Sequence, residues 1–159
     1  MGSHAERIVR VSPVPVLSIQ QRRHFAGSAE ILVPVDIYAN PAELRFCLSR
    51  FSHLLDSRFH LLYIDTNAPG LARASAQQLE EYAHILALSH CATSIIIAED
   101  ITEAILKFAA QIGADMIAMG TLGNPDPSYM FRPSITADVV NHARIPVLTC
   151  PLRQALIQH

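Results

Sequence analysis

The sequence contains no tryptophan, and only 6% of its 159 residues are aromatic. That scarcity argues against a stacking platform for single-stranded nucleic acid, which needs exposed rings on which bases can lie. Charge is sparse too. Asp, Glu, Lys and Arg make up 16% of the chain, against about 25% in an ordinary soluble domain. Twelve basic and 14 acidic residues leave a net charge of −2, so neither a nucleic-acid face nor an anionic-membrane surface is indicated. No run approaches the roughly 18 apolar residues of a membrane span. Residues 1–10 lack the apolar core of a signal peptide. The three cysteines, Cys47, Cys91 and Cys150, are odd in number and far apart. They suggest neither a disulfide framework nor a zinc spacing, and a reducing cytoplasm is the expectation. Eight histidines are scattered with no His-x-x-x-His pair, so no metal site is expected.

What the chain does have is apolar: 50% of its residues are hydrophobic, enough to fill the core of one domain. With so little charged surface, a self-association face is expected as well. From residue 31 onward, short β-rich runs alternate with helical patterns. Residues 31–35 form a continuous apolar run, as in a strand buried on both faces. Asn40, Pro41 and Glu43 then suit the cap, first and third positions of a helix, with an apolar stripe at 44, 48, 51, 54 and 55. Residues 60–64 read as a second strand and 73–90 as a long helix. Residues 93–97 read as a third strand. Asp100 and Glu103 open a helix to about 112, and Gly113 suits the position just past its end. Residues 115–119 read as a fourth strand, 120–133 as a loop rich in turn formers, and Ser134 as the cap of a helix to about 142. Residues 146–150 read as a fifth strand. This alternation predicts an α/β fold, an open, doubly wound parallel sheet with helices on both faces.

In such sheets a ligand sits outside the carboxyl ends of the strands, where strand order reverses. Asp36, after strand one, and Gly120 onward, after strand four, are placed for that role. A helix starting near Ser134 offers free N–H groups and a dipole that favour an anion. The residues alone therefore predict a phosphate-compatible crevice. No Ser-His-Asp, Cys-His or paired-carboxylate constellation is visible at a motif's spacing, so no catalytic residue is named and binding is expected in place of turnover.

Residues 31–151 resemble a universal stress protein domain. The family's first strand ends like Val33-Pro34-Val35-Asp36, and its second like Tyr63-Ile64-Asp65. Its fourth runs into a Gly-x₂-Gly, as in Met119-Gly120-Thr121-Leu122-Gly123, and its last strand resembles Ile145-Pro146-Val147-Leu148. The resemblance implies five strands in the order 3-2-1-4-5, an adenine-nucleotide alpha hydrolase-like fold, with a crevice between strands one and four. ATP-binding members carry Gly-x₂-Gly-x₉-Gly-Ser/Thr. Here Gly120 and Gly123 are followed by nine residues and then Pro133 and Ser134, so a proline stands where the third glycine belongs. Proline has no N–H to donate to a phosphate, and its φ is fixed near −65°. The resemblance implies ATP or AMP as ligand. Asp36 and Ile64 would lie at the adenosine end, with Met119, Gly120, Gly123, Ser134 and Ile135 along the phosphate path. Each also has a plain structural reading as a turn cap, loop glycine or helix cap. It further implies a stress-response regulatory or protective role, the alternative being a nucleotide-free oligomeric module acting through its sheet edge.

Residues 1–19 resemble the last helix and strand of that same domain. At a constant offset of 131, Ser3 matches Ser134, Val9 matches Val140, and Pro15, Val16 and Leu17 match Pro146, Val147 and Leu148. Met1 to His4 also read as an expression scar, and a generic helix-turn-strand could match by chance. The repeat predicts the remnant of a preceding domain, from a tandem protein or from a start codon inside a longer gene. A linker, 20–30, leads to the domain, and 152–159 form a tail. In the family the fifth strand pairs antiparallel with its twin. An edge strand carrying Val14, Val16 and Leu17 is therefore expected against Val147, Leu148 and Thr149. It lies either in the same chain or exchanged within a homodimer. The eleven-residue linker can reach about 35 Å when extended, more than the roughly 15 Å of three strand spacings.

Overall fold

The computed structural model describes residues 4–25, 27–53, 56–67, 73–122 and 133–152. Eleven elements follow one another: α1 (His4–Val11), β1 (Val16–Ser18), β2 (Ser28–Pro34), α2 (Pro41–Ser52), β3 (Asp56–Asp65), α3 (Ala76–Leu86), β4 (Cys91–Ile97), α4 (Ile101–Ile112), β5 (Met116–Leu122), α5 (Pro133–His142) and β6 (Val147–Leu152). They build one sheet in the order β1-β6-β5-β2-β3-β4. All neighbours are parallel except β1, which lies antiparallel to β6. The five parallel strands therefore stand in the order implied by the resemblance, and the short β1 makes a sixth.

The strand sequences explain the two-sided core. Ile31, Val33 and Val35 of the β2 region, Phe59 and Leu61 of β3, and Met116 and Ala118 of β5 face one layer, formed by α2 and α3. Leu32, Leu62, Ile64, Ile117, Met119 and Val147 face the other, formed by α4, α5 and α1. Neighbouring residues in a strand point to opposite faces, so a strand covered on both sides must be apolar throughout. The helix caps are local. The Asn40 side chain accepts from the Ala42 N–H at 2.9 Å, and Asp100 Oδ1 accepts from Glu103 N–H at 2.9 Å. Gly113 ends α4 in the left-handed region at φ 65°, where a Cβ would be strained.

Several boundaries differ from the sequence reading. β2 begins at Ser28, inside the stretch read as linker, and β3 begins at Asp56. Both openings are polar, yet their main chains pair in register, Ser28 with Asp56 through Glu30 with Arg58. α3 is shorter than expected. A Ser75–Gln78 capping box opens it, and Ala87 closes it in the left-handed region at φ 51°. β5 continues through Gly120 and Thr121 to Leu122, where a loop was expected. Pairing with β6, Gly120 to Cys150 and Leu122 to Leu152, outweighs the local turn preference. α5 starts at Pro133, so Ser134 lies inside its first turn and does not precede it.

The cysteines require a correction. Cys47 and Cys150, 103 residues apart, form a disulfide with their Cα atoms 6.3 Å apart. α2 crosses the sheet face above β6, which brings the two buried sulfurs together. Cys91 alone is free. Disulfides persist in oxidising surroundings, so the cysteines no longer support the expectation of a reducing cytoplasm. No helix among the described residues is long and apolar enough to cross a membrane.

Candidate functional site

The sheet opens at one place. β2 and β5 are register partners only at Ile31–Met116 and Leu32–Ile117. Beyond that point β2 continues with β3 to Pro34–Leu62, while β5 continues with β6 to Leu122–Leu152. The carboxyl halves of β2 and β5 thus part company, and their connections run to opposite sides of the sheet. That is the topological switch point at which open α/β sheets take their ligands.

Asp36 stands at the β2 side of the opening and is buried. Its carboxylate Oδ1 accepts from Tyr38 N–H at 3.0 Å, and its carbonyl accepts from Ala39 N–H at 3.0 Å. These bonds form an Asx-type turn that redirects the chain toward α2. Asp36 also sets the local electrostatics. Burial pushes the Tyr82 phenol well above its usual range, and the Asp36 charge adds to that rise. Tyr63 is raised first by burial, then by Tyr38, Asp36 and Asp65. Both phenols therefore stay neutral as hydrogen-bond donors beside an acidic group.

On the β5 side, Met119 and Gly120 are buried, as is Ile64 on β3. The side chains of Ile64 and Met119 belong to the core shared with α4 and α5. Gly120 has a packing reason to lack a side chain. A Cβ there would stand 2.6 Å from Leu152 Cδ1 and 3.0 Å from its Cγ. Gly120→Ala is expected to cost about 1–2 kcal/mol through overpacking. Combined with Leu152→Val in a double-mutant cycle, it should show a coupling of at least roughly 0.5 kcal/mol. Strict additivity in urea melts would mean that Gly120 is small for another reason.

The first turn of α5 reaches the same place. Thr136 Oγ1 donates to the Gly120 carbonyl at 3.5 Å, and Ile135 is half-buried beside it. The first N–H groups of a helix have no partner within it and carry the positive end of its dipole, so this turn suits an anion. Pro133, the first residue of α5, contributes no N–H. Gly123 lies outside the described residues, and so does the segment from 124 to 132.

Of the edge residues named from sequence, Val16 pairs with Thr149, Leu17 with Leu148, and Ser18 with Val147. Thr149 Oγ1 adds a bond to the Val16 carbonyl at 3.3 Å. Val14 lies just before β1 and is exposed. At the opposite, amino end of the sheet a groove of about 580 Å³ is lined by Glu30, Arg58, His60, His90 and Cys91, among others. The sequence reading missed it, because these residues come from three strands and a turn with no common motif. The Glu30 carboxylate lies 3.0 Å from His60 Nε2 and 3.6 Å from the Arg58 guanidinium. No group of three or more metal-ligating side chains occurs among the described residues.

The sequence profile of the universal stress protein family matches residues 30–151. No curated protein matches the sequence. Among solved structures, a universal stress protein from Archaeoglobus fulgidus DSM 4304 is 19% identical with a TM-score of 0.64. The match covers 93% of this chain and 53% of that one, so this chain spans about half that protein's length. The universal stress protein from Archaeoglobus fulgidus in complex with dAMP is 21% identical with a TM-score of 0.53, covering 77% of this chain and 97% of its own. A universal stress protein in complex with cAMP is 14% identical with a TM-score of 0.59, covering 80% of this chain and 100% of its own. At such identities the likeness to these structures establishes the fold.

Proposed function

This chain belongs to the universal stress protein family, and from that premise we propose that it is a stress-response binding protein that holds AMP or ATP between the carboxyl ends of β2 and β5. The observation that carries this reading is the parting of β2 from β5 after two register pairs. It opens a crevice with an acidic strand end on one side and a helix N-terminus on the other. The phosphate end fits: the first turn of α5 stands against Gly120 and offers main-chain donors to an anion. The universal stress proteins bound to dAMP and cAMP supply the ligand class. Asp36 and the main chain at Ile64 would meet the nucleoside. Because Pro133 withholds a donor, a triphosphate gains little over a monophosphate. The role is binding and regulation, without turnover.

A second reading has its own support. Asp36 is engaged in a turn and Gly120 in packing, so both have structural reasons to be present without any nucleotide. The protein would then be a nucleotide-free interaction module acting through its sheet edge, as a homo-oligomer. The experiment that separates the two is direct. Protein purified without added nucleotide is denatured and the supernatant read near 260 nm, and the purified protein is titrated with AMP and ATP by calorimetry. Release of an adenine chromophore or saturable heat supports the crevice. Neither signal leaves the interaction module.

A further inference from the structure

α1 and β1 repeat α5 and β6 about a local two-fold axis. Leu17 pairs with Leu148, its own equivalent at the offset of 131. The flanking pairs, Val16 with Thr149 and Ser18 with Val147, exchange under the same offset. α1 packs on α5. Asn141 Nδ2 donates to Glu6 Oε2 at 3.4 Å, and Gln20 Nε2 donates to the Val140 carbonyl at 2.8 Å. At this internal interface Val9 and its equivalent Val140 are both buried in the core.

On the outward side of α1 and β1 the equivalence fails. Ile8, Leu17 and Ile19 are 52%, 40% and 59% exposed, whereas their equivalents Val139, Leu148 and Cys150 are buried. The second set is buried because β5 lies parallel beside β6 and because α4 and α2 pack against α5 and β6. Among the described residues, nothing plays those parts for the first set. Val11 and Val14 extend the same apolar exposure, and contiguous apolar surface of this kind marks an interaction site.

We propose that the outer face of α1 and β1 is the docking surface for the body of a second domain of this fold, carried on the same polypeptide ahead of α1. That body would add a parallel strand to the open edge of β1, as β5 adds to β6, and would lay a helix over Ile8, as α4 lies over α5. Connectivity selects the source. β6 is reached from its parallel neighbour β5 through α5, and such crossovers are right-handed and continuous in the chain. α1 and β1 repeat the final half of that unit, so the strand they need precedes them. A second copy of this face would bring an antiparallel strand, without the parallel neighbour and covering helix that β5 and α4 supply to β6 and α5. Coverage agrees as well. The Archaeoglobus protein of about twice this length matches 93% of the chain, and the shorter dAMP-bound one 77%. The difference is about the size of the segment ahead of β2.

The test tags the carboxyl terminus at the native locus and weighs the intact product. A mass well above 17.5 kDa, by roughly a domain of 100 residues or more, is expected. In that product Ile8→Glu or Ile19→Glu should lower Tm by more than about 5 °C, because each would bury an unpaired charge. In the 159-residue chain the same substitutions should move Tm by less than about 2 °C. A 17.5 kDa product overturns the proposal, whether it is monomeric or self-associates through this face. So does a longer product whose Tm ignores both substitutions.

Discussion

Reduction of the protein, or replacement of both Cys47 and Cys150 by alanine, is expected to lower its unfolding free energy by about 4 kcal/mol. The bond closes a loop of 103 residues, and a loop of about that length is worth roughly 4–5 kcal/mol in lost chain entropy of the unfolded state. In a chain of this size it corresponds to a fall in Tm of roughly 8–15 °C. The bridge joins α2 to β6 within the core layer that also contains Phe59, Leu79 and Tyr82. Its loss therefore loosens one face of the sheet while α4 and α5 keep the other. Thermal melts with and without a dithiol reductant check this, together with thiol counts in denaturant. The oxidised protein should show one thiol, Cys91, and the reduced protein three. The double-alanine variant should melt like the reduced protein and ignore reductant. Three thiols without reductant, with coincident melts, would sink the expectation.

Deletion of residues 1–19 is expected to turn the chain into a dimer at micromolar concentration. The outer edge of β6 carries Val147, Leu148 and Thr149, which β1 pairs in the same chain. Without β1 that edge presents unpaired N–H and C=O groups on an apolar, uncharged strand, the usual template for edge-to-edge pairing. Loss of α1 also uncovers the apolar surface of α5 around Val140, against which Val9 is buried. The edge and the uncovered helix together offer a self-complementary patch that a two-fold axis can close. Light scattering after gel filtration should give twice the chain mass, and a single cooperative melt should show that the shortened protein is folded. Thr149→Lys, which places a charge on the open edge, should restore the monomer. A folded, monomeric deletion variant would show that β1 is not what keeps the edge closed.

Most of the fold was legible because its signals are local. Runs such as residues 31–35 and 60–64 must be apolar on both faces of a covered sheet. Asn40, Asp100 and Gly113 carry cap chemistry in their own side chains or backbone freedom. What was not legible depends on partners distant in sequence. The polar openings of β2 and β3 become strand only because they pair with each other. Gly120 to Leu122 reads as a turn until β6 lies beside it. The Cys47–Cys150 contact has no spacing signal, because it arises where a helix crosses a strand 103 residues later. The candidate site was legible in outline: the switch point follows from strand order, and Asp36 and Gly120 do stand at its two sides. That Ile64 and Met119 are core side chains follows from pleat alternation, which fixes the inward face only once both layers are known.

The pairing of β1 with β6 also has a history in time. β1 leaves the ribosome before its partner, which is synthesised about 130 residues later. At translation rates of about 5–20 residues per second, the gap is roughly 7–26 s. Throughout that interval the nascent α1 and β1 hold apolar residues with no β6 to meet. The burial of α1 and β1 therefore waits until β6 has emerged and closed the sheet beside them.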